Sequence, residues 1–198
     1  NAAGHTIRGS GQIGLDSLVF HNQGLVEATS TGGLTIDTTG NLDNATATLI
    51  NSATLQSNGG TLTILNSRVD NAGGTIQAQA GSTTTINNSW IVGGSLTTIG
   101  TGVVSLVNQA TLNSLTITSG STVTVADNNV ARLDPGTITN DGTLLMASVG
   151  NGTELRLNNA TAGVQDTVTL SGTGVLQMSN STANRIFADE SGDRIVNA

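Results

Sequence analysis

Residues 61–94 read TLTILNSRVDNAGGTIQAQAGSTTTINNSWIVGG. The stretch states one pattern twice: T-L-T-I-L-N-S-R-V from Thr61, then T-T-T-I-N-N-S-W-I from Thr83, twenty-two residues on. Within each copy apolar and polar residues alternate, which is the period of a strand with one buried face. Gly, Asn, Asp and Ser fill the intervals, and these residues accept the left-handed backbone of tight bends. No run keeps the 3.6-residue period of a helix.

The same phrase extends outward in both directions. Aligned by inward position, one strand series carries Leu55, Ile76, Leu96 and Leu115. A second carries Leu62/Ile64, Thr84/Ile86, Val104/Leu106 and Val123/Val125. A third carries Val69, Ile91, Leu112 and Val130. Members of a series recur about every twenty-one residues, the interval of solenoids built from short units. The spacing predicts an all-β parallel β-helix with three short strands per coil and about nine coils in all. Strands at Leu144/Met146, Leu155/Leu157, Val168/Leu170, Leu176/Met178, Ile186 and Ile195 continue the rod beyond Pro135 with longer turns. Residues 1–198 are therefore read as a single β-helix segment.

An amide recurs at fixed phase. Asn22, Asn66, Asn88, Asn108, Asn159 and Asn180 each follow the last inward apolar residue of a strand by two, and Asp127 does so after Val125. Stacked amides pass hydrogen bonds along an axis, so the spacing predicts an Asn ladder.

Composition fits a narrow rod. Hydrophobic residues are 36%, aromatic residues only 2% and charged residues 10% of the 198. A core without large rings is filled by Val, Ile, Leu and small residues. Thirteen acids against six bases leave a net charge of −7, and all six bases are Arg. Phosphate backbones and anionic membranes need cations that this surface lacks. No apolar run reaches membrane-spanning length. The absence of Cys excludes thiolate metal sites and thiol nucleophiles.

The ends of the sequence echo its interior. Overlapping the final "RIVNA" with the initial "NAAGHTIRG" on their shared NA gives RIVNAAGHTIRG, close to the internal "VDNAGGTIQA". The expectation is one module of a larger tandem array, with neighbouring copies or modules stacking end to end, since a solenoid end exposes strand edges and a bare core.

Several phrases carry a resemblance. NQGLVEA (22–28) and NAGGTIQA (71–78) resemble the filamentous-haemagglutinin type of bacterial adhesin. ITNDGTLLM (138–146) and LSGTGVLQMSNSTANRI (170–186) resemble it too, and are also similar to autotransporter passenger repeats. The resemblance implies a right-handed hand for the β-helix, and the structural shaft of a large protein on the bacterial cell surface, extracellular, with host-cell or matrix glycan or protein as partner. The Asn-Pro-Asn motifs of that family's secretion domain and the membrane barrel of an autotransporter are absent here, so the resemblance is to the shaft alone.

Chemistry-bearing residues are sparse. His5 and His21 stand apart, and no Ser/His/Asp arrangement or G-x-S-x-G occurs. Asp43 and Asp70 share the context L/V-D-N-A and would stack on neighbouring coils, a separation that suits glycoside hydrolysis, although Asp-Asn before Gly also suits a turn. Asp127, Asp134 and Asp141 recur every seven residues, and Asp189, Glu190 and Asp193 cluster, but neither an EF-hand loop nor a G-G-x-G-x-D repeat is present. No metal site or cofactor is expected. The outward pairs Thr61/Thr63, Thr83/Thr85, Val103/Ser105 and Thr122/Thr124 make a T-x-T ladder of four rungs, one broken, of the kind that binds ice on some solenoids. Thr also favours exposed strand positions for its β-branch alone. Trp90 precedes inward Ile91 and should face outward beside Arg68, one coil earlier. An outward Trp stacked on Arg can hold a sugar ring or a partner's side chain, so Trp90 and Arg68 are the candidate binding residues. The sequence reading is a non-enzymatic shaft segment. The rivals are a carbohydrate-active β-helix enzyme and a glycan- or ice-binding solenoid.

Overall fold

The computed structural model describes residues 1–38, 46–158 and 164–198. Among them are twenty-five strands and no helix. The strands visit three parallel sheets in strict rotation, nine in the first and eight in each of the others. Every strand therefore pairs with its counterpart one coil away, and its backbone N–H and C=O groups are satisfied between coils. The protein is a parallel β-helix with three strands per coil.

The register follows the alternation in the sequence. In the second sheet Ile64 pairs with Ile86, Ile86 with Leu106, Leu106 with Val125 and Val125 with Met146. All five are fully buried. Thr84 also points inward at 0% exposure. Its hydroxyl lies 2.9 Å from Ser57 Oγ and donates to the carbonyl of Gln77 at 2.7 Å, which is how a polar residue is tolerated in this column.

Two inward positions differ from expectation. Leu96 pairs with Ile117 rather than Leu115, and Leu112 pairs with Leu133 rather than Val130. Leu115 is buried at the corner, ahead of strand Thr116–Ile117. Val130 pairs with Glu154 and is partly exposed. The reason is corner length. Ile91 follows Ile86 by five residues, Leu112 follows Leu106 by six, and Leu133 follows Val125 by eight. Each added residue reverses the face on which a period-two pattern lands.

The Asn ladder is two ladders. Asn66, Asn88 and Asn108 turn the corner from second to third sheet with φ of 47°, 45° and 49°. Asn88 Nδ2 donates to Asn66 Oδ1 at 3.0 Å, and Asn108 Nδ2 to Asn87 Oδ1 at 3.0 Å. Asn22 belongs to the corner from third to first sheet. There Asn1 donates to Asn22 at 2.7 Å, Asn22 to Asn51 at 2.8 Å and Asn51 to Asn71 at 2.7 Å. Asn22, Asn51 and Asn71 are fully buried. Asn71 ends the chain of amides by donating to the carbonyls of Gly74 and Gly93, both at 3.3 Å. The backbone passes so close here that a Cβ on Gly94 would lie 2.0 Å from the Asn71 carbonyl oxygen. Asn180 is exposed, and Asn159 lies outside the described residues.

Nine strands of the first sheet span about 38 Å at about 4.8 Å per rung. A single run of buried apolar residues extends along the axis from Phe20 to Leu170.

Candidate functional site: the outer face of the third sheet

Charge and aromatic rings collect on one face. The third sheet carries four of the six Arg residues, Arg68, Arg132, Arg156 and Arg185, and all three aromatic residues, of which Phe20 is buried in the core while Trp90 and Phe187 lie on the outer face. Five of these share one outward column. Arg68 pairs with Trp90, Trp90 with Thr111, Thr111 with Arg132, Arg132 with Arg156 and Arg156 with Phe187.

The sequence-predicted pair comes together. The Arg68 guanidinium sits 4.1 Å from the centroid of the Trp90 ring. The contact closes one face of the indole, and Thr111 on the next rung is only 7% exposed. Trp90 Nε1 is buried without a hydrogen-bond partner among the described atoms. The pair is therefore a stacked rung on the outer side of the sheet, with both side chains half-buried.

Further along the column lies a network that sequence reading did not find. Arg132 forms an ion pair with Asp189 and also donates to Asn158 Oδ1 at 3.2 Å. Arg156 binds Glu154, with Nε donating at 2.8 Å, and lies 3.8 Å from Asp189. Arg185 approaches Glu154 at 3.4 Å, and the Arg156 guanidinium stands 4.9 Å from the Phe187 centroid. Beside them Asp134, 3% exposed, accepts from Asn113 at 3.0 Å and from Asn158 at 2.7 Å. Arg132, Glu154, Arg156 and Asp189 retain only 12–28% of their side-chain exposure, so the pairs are partly desolvated and less screened than surface pairs. Chemically this is a cross-coil clamp with one exposed cation at its rim, Arg185, at 62%.

The other candidates are dispersed. Asp70 lies on the third sheet, where its carboxylate accepts the N–H of Ala72 at 3.0 Å, a turn contact. Asp43 lies outside the described residues. His5 and His21 are both exposed. The seven-residue series of acids is split around the coil. Asp134 faces outward after the third sheet, and Asp141 caps a turn by accepting Thr173 N–H at 3.1 Å. Asp127 accepts the Asn151 side chain at 2.6 Å and the Val149 and Asn151 amides at 2.8 and 3.3 Å. The Asn151 side chain foremost, then the Val149 amide, hold the Asp127 carboxyl below the usual carboxylate range. Asp193 accepts the Asp166 amide at 2.9 Å. Among the described residues no three His, Cys, Asp or Glu are grouped as metal ligands.

The hydroxyl ladder on the second sheet is longer than its sequence pattern. Thr35 pairs with Thr63 ahead of it, and Thr122 pairs with Thr143 beyond it. Leu145 and Gln177 then follow Thr124 in the column, which ends the run of hydroxyls. No family model, no curated protein and no solved structure matches the chain.

Proposed function

We propose that this chain is a shaft segment of a large secreted bacterial adhesin or surface fibre, a rod that acts by spanning distance. The observation that carries the reading is the unbroken rotation of strands through three sheets from Thr6 to Asn197. Such a lattice resists axial extension because each coil is tied to the next by a full set of parallel backbone bonds. The sides suit the role. Outward residues of the second sheet between Thr61 and Leu145 are Thr, Ser, Asn, Val and Leu, without a charge. The third sheet adds the lateral clamp. Its charges serve one another, and the Arg68–Trp90 stack is a rung of the same wall. The resemblance of NQGLVEA and ITNDGTLLM to adhesin shafts supplies the bacterial, extracellular setting.

The test is mechanical and chemical. The chain is inserted between the membrane anchor and the binding tip of a displayed reporter adhesin. The reach of the tip should grow by about 40 Å per inserted copy, at about 4.8 Å per coil, with adhesion retained. In parallel the chain is incubated with a polysaccharide panel. Cleavage that disappears in Asp70→Ala would replace this reading with that of a β-helix enzyme.

A further inference from the structure

The dipeptide Asn-Gly occurs twice in the chain, at 58–59 and at 151–152. In this pair the backbone nitrogen of glycine can reach the side-chain amide before it, because no Cβ blocks the approach. Both copies stand at corners of interior coils, Asn58 after strand Thr54–Ser57 and Asn151 ahead of strand Thr153–Leu157. Both asparagines are exposed. Each ties its Nδ2 to a carboxylate of the preceding coil, Asn58 to Glu27 Oε1 at 2.8 Å and Asn151 to Asp127 Oδ2 at 2.6 Å.

The two sites differ at the nitrogen that follows. The Gly59 N–H donates to the buried hydroxyl of Ser82 at 2.7 Å, and Gly59 is held at a φ of 85°. That nitrogen is fixed and its proton engaged. The Gly152 N–H makes no hydrogen bond among the described residues. Ser148 Oγ donates to the carbonyl of Asn151 at 2.8 Å. A bond to that oxygen draws charge from the same peptide unit and makes the Gly152 N–H easier to deprotonate. Nor does the fold require glycine at 152. Its φ is not left-handed, and a Cβ there would meet only Glu154 Oε1, at 4.0 Å. Asp141–Gly142, the acid counterpart of these pairs, has its glycine N–H bound to Asn140 Oδ1 at 3.2 Å.

We propose that Asn151 is a self-modification site, converted in the folded chain to aspartate and isoaspartate through a succinimide with Gly152, while Ser82 keeps Asn58 unreactive. The Gly152 nitrogen bonds to Asn151 Cγ and the Cγ–Nδ2 bond breaks. Nδ2 leaves as ammonia, carrying the proton that Gly152 gives up. Water then opens the ring. Opening at Cγ restores the main chain and leaves an aspartate. Opening at the main-chain carbonyl leaves isoaspartate, with the main chain one methylene longer. Either product lacks the Nδ2 donor and adds a carboxylate beside Asp127, so a tie between consecutive coils becomes a repulsion. The reaction depends on this corner alone and not on the use to which the rod is put.

The full chain is held folded at neutral and at mildly alkaline pH, and its tryptic peptides are followed over time by mass spectrometry. Residues 9–68 carry Asn58 and residues 133–156 carry Asn151. The expected result is the amide-to-acid mass gain at Asn151, with isoaspartate detected by isoaspartyl methyltransferase labelling, and no change at Asn58. The rate should rise with pH, because the attacking nitrogen must lose its proton. In urea both asparagines should convert. Gly152→Ala should keep the circular dichroism of the parent and slow the reaction at Asn151 at least about tenfold, by raising its barrier. Ser82→Ala should start the reaction at Asn58. An Asn151 that persists in the folded chain, an Asn58 that converts equally fast there, or equal rates at Asn151 in the parent and Gly152→Ala would each overturn the proposal. So would an Asn58 that stays inert both in urea and in Ser82→Ala, since Ser82 would then not be what protects it.

Discussion

Asn51 shows how a polar residue can define a core. Its amide accepts from Asn22 and donates to Asn71 with no exposure to water. Asn51→Ala strands a buried donor above and a buried acceptor below, and should cost about 2–4 kcal/mol in a urea titration, one to two unsatisfied groups' worth. Asn108→Ala removes an exposed partner at the other corner and should cost less than about 1 kcal/mol. Gly94→Ala tests backbone proximity. At φ +65° with the Asn71 carbonyl in the way, it should destabilise by about 2–4 kcal/mol, more than left-handed strain alone. Asp127 tests charge. Its folded pKa is depressed by Asn151 and the Val149 amide, so the carboxylate stabilises the fold above the ordinary carboxylate range. That contribution is lost as pH falls through the folded value. The stability difference between the parent and Asp127→Asn, followed by urea titration from neutral pH downward, should therefore shrink on acidification; a difference that widens would contradict the assignment.

Within the elements, the third sheet gains its late coils through ion pairs that cross rungs. Arg132 and Asp189 are fifty-seven residues apart in the chain, yet two rungs apart on the sheet. Arg132→Ala should lower stability by about 1–3 kcal/mol at low salt, since charge-assisted bonds here are partly desolvated. The loss should be smaller in high salt. Hydrogen exchange should quicken first in strand Asn184–Ala188. This network was not legible in the sequence, because it depends on the register of coils whose corners vary in length. Arg68 and Trp90 were legible because both sit where coils repeat evenly, and the alternation around Val69 and Ile91 fixes their face. The same cause separates Ile64, Ile86 and Leu106, placed correctly by pattern, from Leu115 and Val130, which pattern made inward partners where the pairing falls on Ile117 and Leu133. A rule of two residues after the last apolar position also merged two corners. Only backbone conformation distinguishes Asn66, at positive φ, from Asn22 on its strand.

Taken together, the coils form a one-dimensional lattice in which stability is the sum of rungs and the contacts between them. Interior rungs are covered on both sides, and the final rungs on one, which is why inward Met178 and Ile195 remain exposed while Ile86 does not. Ile86→Ala should cost about 3–4 kcal/mol by leaving a cavity between two covered coils. The lattice can be measured directly, since the chain has no Cys and any introduced pair is labelled cleanly. Gln12, Thr35, Thr124, Leu145 and Gln177 lie in one outward column of the second sheet. Spin labels at Thr35 paired in turn with Thr124 and Leu145, and at Gln12 paired with Gln177, should report separations near 19, 24 and 34 Å, at about 4.8 Å per rung. Separations that fail to rise in step with the rung count would contradict the stacked coil itself.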